Sequence, residues 1–79
     1  MSQSLTDLAP GETGSVCGFE VIDEATERLM QMGIIEGASI EMVRLAPTGD
    51  PVEIRVMGYA LSLRKAEAQH VLIDSVAAP

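Results

Sequence analysis

The sequence has few of the groups that most protein chemistry requires. It contains one cysteine, one histidine, one tyrosine, one phenylalanine and no tryptophan among 79 residues. A single cysteine cannot form an intrachain disulfide, which favours a reducing compartment. No serine, cysteine or histidine stands in a recognisable nucleophile–base arrangement, and no phosphate-binding loop sequence occurs. We therefore expect a protein that is not an enzyme.

The balance of charge is acidic. Five basic residues stand against twelve acidic ones, which gives a net charge of −7. Because the basic residues are scattered, the concentrated positive surface that nucleic acid requires is missing. The negative charge also opposes attraction to an anionic membrane surface. We expect no nucleic-acid partner. The basic residues are Arg28, Arg44, Arg55, Arg64 and Lys65.

Long apolar runs are also missing. No run approaches the roughly 18 residues of a membrane span, and the N-terminal stretch has neither the basic start nor the apolar centre of a signal peptide. We expect a cytoplasmic protein with no membrane insertion, folded as one domain over residues 1–79. Hydrophobic residues make up 47% of the chain and are mostly aliphatic, which is enough for a small core.

The sequence contains clear signals for the start, the buried face and the end of one predicted helix. Asp23 is a favourable N-cap for a helix over Glu24–Met32. Apolar residues recur along it at helical spacing and form one stripe. Gly33 stands where a helix ends in a left-handed residue, and Ile34 can fold back onto the last turn in a Schellman motif.

Five short strands and a second helical segment complete the pattern. The strands alternate apolar and polar residues or are rich in β-branched residues, and the helical segment Arg64–Gln69 lacks them. The predicted strands are Ser15–Ile22, Ala38–Ala46, Val52–Met57, Tyr59–Leu63 and His70–Val76.

Glycine and proline separate these elements. The loop Pro47–Pro51 predicts a hairpin connection, and Gly14 marks a bend before the first strand. We expect the last strand to pair with the first, closing a small barrel, and residues 77–79 to fray. The predicted structural turn residues are Gly33, Gly37, Pro47, Gly49, Pro51 and Gly58.

The segment from Leu29 to Ile73 resembles the FeoA domain family of ferrous iron transport. That family has a Met-Gly-Ile turn with a second glycine, a strand ending in Ala-Pro-x-Gly-Asp-Pro, a later glycine, a strand ending in arginine, and an alanine-rich turn. The opening LTDLAPGETGSV also resembles the family. The matching residues are Leu29, Met32, Gly33, Ile34, Gly37, Ala46, Pro47, Gly49, Asp50, Pro51, Gly58, Leu61, Leu63, Arg64 and Ala68.

The resemblance implies a mainly β fold: a five-stranded barrel of the Src-homology-3-like kind with one or two short helices. It implies a non-enzymatic accessory protein that docks on the cytoplasmic part of the FeoB transporter and modulates ferrous iron uptake. A similar module occurs in iron-dependent repressors of the diphtheria-toxin-repressor class. Since no winged-helix DNA-binding part is present, we do not expect a repressor.

Six residues are candidates for contact with a partner. Leu29, Met32 and Ile34 would edge a hydrophobic groove, although the same residues could simply end the helix and fill the core. Tyr59 is a further candidate.

Asp50 and Arg64 complete this set of six. Asp50 in the hairpin loop would dock a partner or only bond amides within the loop. Arg64 would bind a partner carboxylate or phosphate, or only pair with Glu67 or Glu20 on the surface.

Cys17 and His70 are the candidates for a transition metal such as Fe(II) or Zn(II). Pairing of the first and last strands would bring them close, together with Glu20 or Asp74. Two or three ligands fall short of a structural zinc site, and a second copy in a homo-oligomer could also complete the set. A metal-sensing domain is therefore the alternative to the docking module, and no cofactor is required by the latter.

Overall fold

A computed structural model describes residues 3–78, and the structure consists of one antiparallel sheet with two short helices. The strands lie in the order β1-β6-β2-β3-β4-β5. A single 3₁₀ turn, Leu5–Asp7, precedes β2. The elements are β1 Gln3–Ser4, β2 Thr13–Phe19, α1 Glu24–Gln31, β3 Ser39–Leu45, β4 Val52–Val56, β5 Tyr59–Leu63, α2 Lys65–Ala68 and β6 Val71–Ala77.

The predicted mainly β fold is confirmed, including the pairing of the first and last long strands. Val16 of β2 lies opposite Ile73 of β6, and Phe19 lies opposite Val71. The closed barrel is not found, because the sheet ends at β1 and β5 and the described residues include no pairing between these two strands. The sheet also has a sixth strand, since β1 pairs with the free side of β6.

The chain before β2 is more ordered than its turn residues predicted. Gln3 and Ser4 pair with β6, and Ser4 with Asp7 forms a reciprocal cap on the 3₁₀ turn. Leu5 and Leu8 are fully or almost fully buried. This segment therefore covers one side of the core.

The core is aliphatic, as the composition indicates. Methionine and β-branched residues alternate along β3 and β4 so that one face of each strand is buried. The buried hydrophobic residues are Leu5, Leu8, Val16, Leu29, Ile34, Ile40, Met42, Val52, Ile54, Val56, Leu63, Ala68, Val71 and Ile73.

A bulge explains the imperfect alternation of β3. Met42 pairs with Ile54, whereas Arg44 pairs with Glu53, so Val43 is the extra residue. A bulged residue shifts the faces of the strand that follows. The buried face that starts at Ile40 therefore ends at this point, and the last two residues of the strand, Arg44 and Leu45, are exposed.

Two boundaries differ from the sequence prediction. Gly14 is not a bend but a buried residue within β2, where a Cβ would collide with the side chain of Ile73. Its missing side chain allows β6 to approach closely. Ala77 is not frayed, because it pairs with Thr13; Pro79 lies outside the described residues.

The helices are short. α2 is a single turn, and Glu67 Oε1 accepts the backbone N–H of its N-cap residue Arg64 at 3.2 Å. None of the helices found in residues 3–78 is long and apolar enough to cross a membrane.

Candidate protein-docking site

The N-terminus of α1 is held by a reciprocal cap. The backbone N–H of Thr26 donates to Asp23 Oδ1 at 3.0 Å, and the backbone N–H of Asp23 donates to Thr26 Oγ1 at 2.8 Å. The pKa of the Asp23 carboxyl is held below its ordinary value of 3.8, and the hydrogen bond from the Thr26 N–H is the largest influence on this pKa. The predicted N-cap is therefore confirmed, with threonine in the reciprocal position.

The C-terminus of α1 ends in the predicted Schellman motif. Ile34 N–H donates to the Leu29 carbonyl at 3.1 Å, and Gly33 N–H donates to the Met30 carbonyl at 3.1 Å. Gly33 has a φ of +99°, a conformation that glycine adopts without strain.

Two of the predicted partner-binding residues cannot contact a partner. Leu29 and Ile34 are both fully buried, so their prediction as a groove edge is wrong. They pack together as the hydrophobic pair that accompanies a Schellman ending. The apolar stripe of α1 indicated a side of the helix that packs on the rest of the protein, and the core leaves neither Leu29 nor Ile34 with surface for a partner.

The tip of the β4–β5 hairpin lies against the end of α1. The two strands are joined by the two-residue turn Met57–Gly58, with φ angles of 52° and 85°. A Cβ on Gly33 would stand 2.7 Å from Met57 Sδ, so the sulfur lies directly over this glycine. The hydroxyl of Tyr59 donates to the backbone carbonyl of Met32.

These contacts assemble an apolar surface, which we call the Met patch, from the exposed residues Met57 and Tyr59 and the half-buried Met32. Met57 is 74% exposed and Tyr59 is 43% exposed. Methionine and tyrosine are typical of adaptable binding surfaces, because one is flexible and polarizable and the other is amphipathic. The patch contains two of the six predicted residues, Met32 and Tyr59.

Met57 was not among the predicted residues, because its sequence position extends the alternating strand before it. Its backbone is left-handed, which is uncommon for a methionine and costs about 1–2 kcal/mol. Asparagine is the usual residue before glycine in such a turn. The sequence signal that indicates Met57 is a bulky apolar residue directly before Gly58, between two strands in which apolar and polar residues alternate.

The remaining two predicted residues meet at the opposite end of β5. Asp50 Oδ1 accepts the backbone N–H of Lys65 at 3.0 Å, and Asp50 Oδ2 lies 3.5 Å from Arg64 Nη2. Asp50 thus caps α2 from the hairpin loop, instead of bonding amides within the loop. The predicted ion pair of Arg64 with Glu67 or Glu20 is replaced by the contact with Asp50.

The loop between β3 and β4 borders a shallow groove of about 280 Å³. Gly49, with a φ of +85°, donates its N–H to the carbonyl of Ala46 at 2.7 Å, which confirms the predicted turn. The groove has charged residues beside prolines. Its lining residues are Arg44, Leu45, Ala46, Pro47, Pro51, Glu53 and Ser62.

The candidate metal ligands are divided by the strand register. His70 Nδ1 lies 3.0 Å from Glu20 Oε1, at the point where β2 and β6 separate. Cys17 lies in a bulge of β2, three residues before Glu20. Three residues of an extended chain span roughly 10 Å, so Cys17 is separated along β2 from the His70–Glu20 pair. Within residues 3–78, no three His, Cys, Asp or Glu residues are grouped as metal ligands.

A match over nearly all of the described residues decides the family. The FeoA domain family model matches residues 3–75. The chain belongs to the FeoA domain family. The match includes β1, which lies outside both segments, 5–16 and Leu29–Ile73, on which the resemblance was based.

A FeoA sequence joined to a transporter is among the relatives. The Fe(2+) transport protein A/Fe(2+) transporter FeoB fusion protein of Porphyromonas gingivalis is 31% identical over 72 residues, which are 91% of this chain. The match covers 8% of that relative, so the chain corresponds to a small part of its length.

Solved FeoA structures share the fold. The FeoA-like protein of Clostridium acetobutylicum is 34% identical, with a TM-score of 0.84 and coverage of 92% of this chain and 85% of that one. The zinc-complexed FeoA of Stenotrophomonas maltophilia, described as a prokaryotic SH3 domain protein, is 26% identical, with a TM-score of 0.84 and coverage of 99% and 96%.

Repressor domains share the fold alone. IdeR of T. acidophilum is 20% identical, with a TM-score of 0.81 and coverage of 91% of this chain and 33% of that one. The expected likeness between this module and iron-dependent repressors is therefore confirmed at the level of fold.

Proposed function

We propose that this FeoA domain is a non-enzymatic accessory protein of ferrous iron uptake, which docks on the cytoplasmic part of FeoB and modulates transport. The observation that carries the proposal is the fusion of a FeoA sequence to FeoB in a single relative. Covalent linkage maintains two modules at a high effective concentration, which is useful when the modules act on each other.

The docking surface in this proposal is the Met patch. Its central residue, Met57, is 74% exposed and keeps a left-handed backbone that another residue would adopt more easily. An exposed residue with an unfavourable backbone conformation supports a role in contact. Asp50 and Arg64 contact each other, so the proposal does not assign them to the docking surface.

The proposal is tested with a variant that should separate binding from folding. Met57→Asn places the favoured residue in the turn and removes the apolar side chain. Ile22→Asn is the matched control, because Ile22 is 65% exposed and lies outside the patch. Affinity for the purified cytoplasmic part of FeoB is measured for each variant and for the wild type.

We expect Met57→Asn to weaken binding about 10-fold or more, the effect of losing one buried methionine at an interface. Ile22→Asn should bind as the wild type does. Equal weakening by both variants would remove the Met patch from the proposal. A wild-type protein that does not bind this part of FeoB would refute docking itself.

A metal-sensing function is the second candidate. It is supported by the His70–Glu20 pair and by the zinc complex of the Stenotrophomonas relative. Cys17 and His70 would belong to such a site only if the bulge in β2 rearranged or a second copy supplied ligands. Calorimetry of tag-free protein with Fe(II), Zn(II) and Mn(II) tests it; the absence of both heat and retained metal would end this alternative.

A further inference from the structure

Met57 is the most accessible of the methionines in residues 3–78. It is 74% exposed, whereas Met42 is fully buried and Met30 and Met32 are half-buried. The other large hydrophobic residues exposed in this part of the chain are valine, isoleucine, leucine and tyrosine, which have no sulfur. An oxidant in solution therefore reaches the thioether of Met57 before that of any other methionine that the structure describes.

A thioether reacts with hydrogen peroxide in a step that cells can reverse. A lone pair of Met57 Sδ attacks one oxygen of the peroxide, so a sulfur–oxygen bond forms and the oxygen–oxygen bond breaks. The second oxygen leaves as water with both peroxide protons. The product is a sulfoxide, in which a flexible apolar side chain has become polar. Methionine sulfoxide reductases return it to the thioether with electrons from thiols.

Two hydrogen-bond donors beside this sulfur are already engaged. Met57 Sδ lies over Gly33, and the N–H of Gly33 donates to the carbonyl of Met30 at 3.1 Å. The hydroxyl of Tyr59, which lies 3.7 Å from the Cβ position of the same glycine, donates to the carbonyl of Met32. A sulfoxide oxygen on Met57 therefore keeps its hydrogen bonds to water, or takes the Tyr59 hydroxyl away from the end of α1.

We propose that the Met patch is a peroxide-sensitive contact: oxidation of Met57 in the free domain prevents docking, and reduction restores it. The proposal rests on docking of the Met patch on the cytoplasmic part of FeoB. Docking removes water from this surface, and a sulfoxide that loses its water without gaining a donor opposes that burial. The thioether has no such requirement, because it is only a weak acceptor.

Oxidation at this position should leave the fold intact. Met57 is not part of the buried core cluster, whereas Met42 is. The hairpin that carries Met57 is paired through its main chain, with Val56 opposite Tyr59, and the reaction does not alter these groups. The modification therefore changes the chemistry of the docking surface, in contrast to oxidation of a core methionine, which disrupts packing.

The test starts with the free wild-type chain. The protein is treated with hydrogen peroxide for increasing times, and mass spectrometry of its peptides gives the fraction of sulfoxide at each methionine. We expect Met57 to be oxidised first and Met42 last. The form with a sulfoxide at Met57 alone, isolated by chromatography, should bind the purified cytoplasmic part of FeoB about 10-fold or more weakly than untreated protein. Treatment with a methionine sulfoxide reductase and a thiol should restore binding.

Two leucine variants separate Met57 from the other oxidisable groups, because leucine nearly conserves the volume of methionine and forms no sulfoxide. Each protein is compared with its own untreated form. Met57→Leu should lose no affinity on treatment with peroxide. Met30→Leu is the matched control, since it removes a half-buried methionine outside the Met patch and should stay as sensitive as the wild type. Both variants retain Cys17, so an effect of thiol oxidation would appear in both.

Several outcomes would overturn the peroxide-sensitive contact and leave docking in place. They are a Met57 sulfoxide form that binds as untreated protein does, a Met57→Leu variant that peroxide weakens as much as Met30→Leu, and oxidation of Met30 or Met32 before Met57. NMR spectra of the isolated Met57 sulfoxide form establish that it is folded, and its unfolding would also contradict the proposal. An untreated wild type that does not bind refutes docking itself, and the peroxide-sensitive contact with it.

Discussion

The hydroxyl of Tyr59 donates a hydrogen bond to the backbone carbonyl of Met32, and this bond joins the β4–β5 hairpin to the end of α1. The last carbonyls of a helix have no partner within the helix, so a side chain from another element satisfies one of them here. The hairpin tip and the helix terminus therefore form one structural unit.

Removing this hydroxyl should loosen the unit without removing the ring. We expect Tyr59→Phe to lower the free energy of unfolding by about 0.5–1.5 kcal/mol, the net value of one hydrogen bond. The midpoint of thermal unfolding should fall by several degrees, since about 4–8 °C corresponds to 1 kcal/mol in a domain of this size. An unchanged midpoint would mean that water replaces the hydroxyl at no cost.

The end of α1 should depend on glycine at position 33. We expect Gly33→Ala to cost about 1–2 kcal/mol, because its φ of +99° is strained for a residue with a Cβ, and the added carbon also displaces Met57 Sδ. Gly33→Asn is the control, since asparagine tolerates left-handed conformations better. Equal losses for the two variants in chemical denaturation would indicate that crowding by Met57, and not backbone strain, decides the cost.

Asp50 should act as a structural cap for α2. We expect Asp50→Ala to destabilise the protein by about 0.5–2 kcal/mol, the range for losing a side chain that bonds the first amides of a helix. Asp50→Asn keeps an acceptor for Lys65 N–H and should lose less. Thermal unfolding measures both, and the affinity of folded Asp50→Ala for the cytoplasmic part of FeoB should equal that of the wild type.

Stability should depend on pH through Asp23. Its pKa is lowered in the folded protein, so the carboxylate contributes stability above its ordinary pKa of 3.8, and this contribution is lost as the pH falls through the folded value. Asp23→Asn can still cap α1 but does not titrate. The difference in unfolding free energy between the wild type and this variant should shrink as the pH is lowered from about 5 to 3; a constant difference would exclude the carboxylate as its source.

The sequence predicted those features that neighbouring residues determine. The caps of α1 at Asp23 and Gly33 follow from hydrogen bonds that span only a few residues, so residue type is sufficient to place them. A turn at Gly58 and the strand alternation from Val52 follow for the same reason, although Met57 was predicted as part of the strand and belongs to the turn.

Features that depend on distant contacts were missed or misassigned. The apolar stripe of α1 does not say which side chains the core covers, so Leu29 and Ile34 stayed candidates for the edge of a surface groove beside the alternative of burial in the core. β1 is too short to show a period, and its pairing with β6 appears only when the fold is assembled. The contact of Asp50 with Lys65 likewise joins a loop to a helix, and sequence patterns predict these two elements independently of each other.

The position of β6 has a consequence for how the chain acquires its structure. This strand is bonded on both sides to segments from the first part of the chain, with Gln3 opposite Ile73 on one side and Val16 opposite the same residue on the other. During synthesis, β1 and β2 must therefore remain without their common partner until nearly all of the domain has been made. Folding should wait for that strand, and its rate should be set by the entropy of closing one long loop.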